Sequence, residues 1–178
     1  MSAPAPRPTP HPPPHPVPRP EPEPLPAWAA VALGERGQAE QPGRAHNPRI
    51  VAYHQACDLR ATSDEVPWCS SFVNWVLQRC PLALRGTRSA AARSWLTWGR
   101  PLAAPRTWCI VVIRRRHGGA ATVDRATGSP SGYHVGFWLA EDAGSITIFG
   151  GNQGDTVKTS VFSKRTYQVE DYRWTRTP

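Results

Sequence analysis

Three residues far apart in the chain have the side-chain types that acyl transfer needs: a thiol, an imidazole and a carboxamide. The thiol is Cys69 in "VPWCSSFVNW" (66–75), where it follows Pro67 and Trp68. Cys69, Phe72, Val73, Val76, Leu77 and Cys80 fall at i, i+3, i+4, i+7, i+8 and i+11, which predicts an amphipathic helix with Cys69 at the N-terminal edge of its buried stripe. A thiol in that place meets the positive end of the helix dipole and free backbone N–H groups, which lower its pKa and can bind an oxyanion. The same place also suits a small core residue.

A base is needed to choose between these roles. Of the six histidines, His11 and His15 lie in a proline-rich arm, His46 and His54 in the helical N-terminal part, and His117 in a loop beside Arg114, Arg115 and Arg116. His134 differs, because it begins an alternating segment just after the turn-forming "SPSG". A strand start can hold an imidazole at a sheet edge and aim it at a helix N-terminus. Asn152 in "FGGNQGD" ends the next strand, 18 residues on, so adjacent antiparallel strands would set it beside His134 as the orienting group. The order Cys, His, Asn on a helix followed by a sheet is the papain-type arrangement.

The neighbours of these residues have bland and sharp readings. Trp68 and Gln153 are candidate substrate contacts, with packing and strand termination as the alternatives. Asp64 and Glu65 are expected to cap the Cys69 helix. Trp75, Trp95 and Trp98, at helical spacing, are expected in the core, as are Cys57, Cys80 and Cys109. The four cysteines form no CxxC pair, and His54 with Cys57 lacks a second pair at ligand spacing, so no metal or other cofactor is expected.

The elements that must position these groups follow from the periodicity. Residues 27–35 read as a short helix; Asn47 and Pro48 mark the cap and first residue of a second, with Ile50, Tyr53 and Cys57 on one face. The Cys69 helix comes third, within 64–80, and "RSAAARSWLTW" (88–98) fourth. The period then changes. Residues 107–113 form an apolar run, and 133–140 alternate so that Tyr133, Val135, Phe137 and Leu139 face one way and His134, Gly136, Trp138 and Ala140 the other. Segments 145–151, 156–162 and 167–174 are further short strands, and 114–132 is a long polar loop. Helices first and an antiparallel sheet after make an α+β pattern.

Composition sets the outer bounds. A chain of 178 residues has room for one domain plus appendages. Residues 1–26 hold 13 of the 21 prolines and no apolar run, so they read as an extended, disordered arm, with the domain occupying 27–178. The net charge of +8 comes from 19 arginines and two lysines, mostly scattered, and no nucleic-acid motif accompanies it, so nucleic acid is not an expected partner. Neither a secretory signal pattern nor a membrane-length apolar run is present, which gives the expectation of synthesis in the cytoplasm without a membrane span.

Seven stretches together carry a family resemblance: "HNPRIVAYHQA", "DEVPWCSSFVNWVL", "GTRSAAARSWLTWG", "CIVVIRR", "HVGFWLAED", "GGNQGD" and "YRW". In this order, over residues 28–174, the chain resembles the CHAP-type peptidoglycan hydrolases, relatives of the NlpC-type papain-like enzymes. The resemblance implies a papain-like fold and cleavage of an amide bond in peptidoglycan, either in the stem peptide or at N-acetylmuramoyl-L-alanine. Carried over, Cys69 is the nucleophile, His134 the base and Asn152 the orienter. The 114–132 loop is longer than the usual link, and the acidic calcium loop of some relatives is missing. A wall hydrolase without a signal would act in the periplasm after delivery as a type VI effector or a phage-type lysin, with a carrier or an immunity protein as partner. The other classes left open are a wall-binding module without turnover and a cysteine acyltransferase or deamidase acting on protein.

Overall fold

The computed structural model describes residues 24–116 and 124–176. The proline arm up to residue 23, and His117 with the rest of 117–123, lie outside the described residues. The fold is α+β: helices α1 (Ala27–Gly34), α2 (Pro48–His54) and α3 (Cys69–Arg79) precede six antiparallel strands. The strands are β1 (Arg100–Pro101), β2 (Ile110–Arg115), β3 (Tyr133–Glu141), β4 (Ser145–Gly150), β5 (Lys158–Ser163) and β6 (Tyr167–Trp174), in the sheet order β1-β6-β2-β3-β4-β5.

The sheet cannot be flat. β5 and β6 lie four strand spacings apart in the hydrogen-bonded order, about 19 Å in a flat sheet, yet only residues 164–166 link them, which reach about 14 Å. The sheet therefore curls until its ends approach, and Phe162 of β5 meets Tyr167 of β6 edge-on at 5.1 Å. Its two faces become an inside and an outside. The inside is a small apolar cluster of Val111, Ile113, Ile146, Ile148, Phe162 and Tyr167. The outside carries Ile110, Val112, Val135, Phe137 and Phe149, and joins one core with the helices: α3 lies against β3 and β4, and α1 and α2 pack on α3.

Local signals explain the elements. Asn47 caps α2, its side-chain oxygen accepting from the Arg49 N–H at 2.8 Å, with Pro48 at the first helical position. Helix α3 begins at Cys69 itself and has no side-chain cap. Asp64 is engaged elsewhere: its carboxylate accepts from the backbone N–H groups of Gln41 (2.9 Å) and Asn47 (2.8 Å) and meets His46 Nδ1 at 2.7 Å. It ties the segment before α2 to the approach to α3 and does not cap α3.

Two other elements differ from expectation. The fourth helix is a single 3-10 stretch, Ala92–Thr97, because residues 87–91 cross α3 as a non-helical segment that bonds its polar side chains. Helix α3 is consequently covered on almost every side: nine of its residues are buried, among them Ser70, Ser71 and Asn74, which the stripe had left facing solvent. Trp75 and Trp95 are in the core and Trp98 packs at its edge. Cys57, Cys80 and Cys109 are buried free thiols.

Candidate active site

Cys69 is the first residue of α3, and its side chain is 3% exposed. Burial pushes its thiol up to about 11, against the pull of three backbone N–H groups, those of Val135, Ser70 and Cys69 itself. These donors are what a helix N-terminus packed on a strand can supply, and they fit an anionic sulfur or oxygen. At neutral pH the sulfur holds its proton.

His134 is placed by the pleat of β3. It pairs with Ile113 while its neighbour Val135 pairs with Val112, and these two pairs belong to opposite faces. The alternation in "YHVGFWLA" is as the sequence indicates, but the helices take the Val135 face, so the imidazole points inside the curl. Its ring lies 5.5 Å from that of Phe162. It is fully buried, and neither ring nitrogen has a hydrogen-bond partner among the described residues. Burial lowers its pKa to about 4, with the charge of Asp124 opposing. No hydrogen bond joins His134 to Cys69 or to Asn152.

Asn152 follows β4 in the left-handed region (φ 55°), which asparagine tolerates better than most residues. It is 2% exposed and lies against Gly128, where a Cβ would meet its Nδ2 at 2.6 Å and its Oδ1 at 2.7 Å. The segment 124–129 is thus seated on the loop after β4, and the Gly154 N–H donates to the Ala126 carbonyl at 3.1 Å. Trp68 and Gln153 have no open face. The Trp68 indole N–H donates to Glu40 Oε1 at 2.7 Å, and the Gln153 amide donates to the carbonyls of Gly150 (3.0 Å) and Lys158 (2.6 Å). Both are wholly buried.

Two groupings were missed. Asp124 is a buried carboxylate near His134, accepting from the Tyr167 hydroxyl at 2.7 Å and from the Ala126 N–H at 3.0 Å. Its only sequence signal is an aspartate in a turn-rich loop, which normally marks local backbone capping. The second grouping joins α2 to α3: Cys57 Sγ donates to Ser71 Oγ at 3.6 Å, and Ser71 Oγ lies 3.0 Å from His54 Nδ1. No cluster of His, Cys, Asp or Glu among the described residues could hold a metal ion, and no helix among them is long and apolar enough to cross a membrane.

Comparison with protein-family models, with curated proteins and with solved structures finds no match.

Proposed function

We propose that the chain is a papain-like cysteine amidase of the CHAP type that hydrolyses an amide bond of peptidoglycan, with Cys69 as nucleophile, His134 as base and Asn152 as orienter. The observation that carries this reading is the setting of Cys69, a thiol at the start of a core helix onto which three backbone N–H groups converge. The α+β order and the sequence motifs support it. The thiol proton passes to the imidazole, and the thiolate forms a C–S bond to the carbonyl carbon while the N–H groups hold the oxyanion. The C–N bond then breaks and the amine leaves with the proton from the imidazolium. Water cleaves the thioester. Since His134 points inside the curl, the start of β3 has to turn before the first step.

That same orientation favours a second reading, a module that retains wall peptides without cleaving them. Incubating purified protein with peptidoglycan and identifying new amino termini or free lactyl groups by mass spectrometry separates the two. Release that disappears in Cys69→Ala supports the hydrolase; retention on the wall with no release overturns it. The same experiment identifies the bond, and delivery as an antibacterial effector would require a protecting immunity protein.

A further inference from the structure

A cavity of about 310 Å³ opens beside α2 and α3, away from Cys69, His134 and Asn152. That volume is at the low end of the roughly 300–1,000 Å³ typical of small-ligand sites. Its wall includes Arg60, Arg85 and Arg88 and no acidic side chain. Arg88 pairs with Asp58, which stands outside the cavity, while Arg60 and Arg85 form no ion pair with a described residue. Guanidinium groups gathered in one concavity focus a positive potential there, and their planar forks match an oxyanion in bidentate fashion.

The backbone around the cavity is strained. Of the six non-glycine residues with positive φ among the described residues, three line it: Arg60 (47°), Ala83 (43°) and Arg88 (59°). Such conformations are unfavourable for non-glycine residues and persist where the surroundings over-determine them. At its floor the Asn74 side chain accepts from the Arg88 N–H at 2.8 Å, and Gly86 leaves room for this, since a Cβ there would come within 3.1 Å of Asn74 Cγ.

The remaining wall distinguishes one oxyanion from another. Gln55 and Gln78 are exposed carboxamides at the cavity, and such groups donate and accept as a peptide unit does. Leu59 and Leu82, 61% and 53% exposed, precede Arg60 and Ala83 on the segments that supply the wall. A phosphate would use the carboxamide N–H donors but neither their carbonyl acceptors nor the leucines, whereas a peptide can use all three. We propose that this cavity binds a short peptide bearing a carboxylate, with Arg60 and Arg85 holding the carboxylate and Gln55 and Gln78 the neighbouring peptide unit. The proposal rests on the cavity and not on Cys69 chemistry, so it stands or falls apart from the hydrolase reading.

Isothermal titration of the full chain with acetyl-Ala-Glu, with its uncharged amide analogue acetyl-Ala-Gln-amide, with free glutamate and with inorganic phosphate tests it. The acidic dipeptide should bind and the uncharged analogue should not. Arg60→Gln and Arg85→Gln should each weaken binding tenfold or more, and Gln78→Glu should abolish it at an exposed position that leaves the fold alone. Arg165→Gln, on the β5–β6 turn, should change nothing. Phosphate or free glutamate binding as tightly as the dipeptide would overturn the peptide assignment. Absence of binding, or binding indifferent to the arginine substitutions, would overturn the site.

Discussion

Cys69 and His134 are both neutral at pH 7, for the same reason: burial raises the thiol to about 11 and lowers the imidazole to about 4. A preformed thiolate–imidazolium pair is therefore not the resting state of this site. All four cysteines are buried, so the native protein should show almost no fast-reacting thiol with a disulfide reagent at pH 7 and four after denaturation. One rapidly modified thiol, lost in Cys69→Ala, would show instead that the site opens readily. Under the proposed mechanism Cys69→Ala should abolish turnover in the wall-hydrolysis assay, and Asn152→Ala should cost less, since an orienting carboxamide is not itself consumed. Asp124→Asn keeps size and removes charge. If Asp124 has taken over the orienting role, that substitution will lower the rate more than Asn152→Ala.

At the scale of elements, the fold depends on side chains that hold extended segments against helices. The Asp64 carboxylate is buried and gathers two backbone N–H groups and His46, so Asp64→Ala loses three hydrogen bonds from partly exposed donors and should destabilise the protein by about 1–3 kcal/mol in chemical denaturation. Glu65→Ala, one residue on, should have little effect. Gly151 lies where β4 ends against α3, and a Cβ there would come within 2.7 Å of Trp68 Cε3 and 2.8 Å of Phe72 Cβ. Gly151→Ala should therefore shift α3, lowering the melting temperature and altering Cys69 reactivity together. The start of α2 and the spans of β3, β4 and β6 were legible in the sequence to within a residue, because Asn47–Pro48 and the change of period are local chemistry; β2 (Ile110–Arg115) lies three residues on from the start of the apolar run at 107–113, and β1 (Arg100–Pro101) falls where the sequence shows no strand pattern. The 3-10 stretch and the buried Ser70, Ser71 and Asn74 were not. They depend on residues 87–91 lying across α3, a contact between segments that no local pattern encodes.

On the scale of the whole molecule, the curled sheet encloses an imidazole that must stay uncharged. His134 titrates near 6.5 when unfolded and near 4 when folded, so the unfolded chain binds the extra proton first. Its contribution to stability is complete above pH 6.5 and falls away as pH drops towards 4, by about 3 kcal/mol in all. Denaturation midpoints between pH 7 and pH 4.5 should fall, and His134→Phe should flatten that dependence; an unchanged slope would mean that another group governs it. The sequence by itself determined the α+β order, the cap of α2, the place of Cys69 at a helix start and the alternation that separates His134 from Val135. Each of these rests on spacing or dihedral preference within a few residues. Only the tertiary structure decided which face of β3 the helices cover, and with it that His134 points inside, because the three-residue link from β5 to β6 curls the sheet. Three-dimensional packing likewise placed Asp124 near His134, seated 124–129 against Asn152 and gathered Arg60, Arg85 and Arg88 at one cavity, since these approaches lie beyond the reach of any helix or strand period.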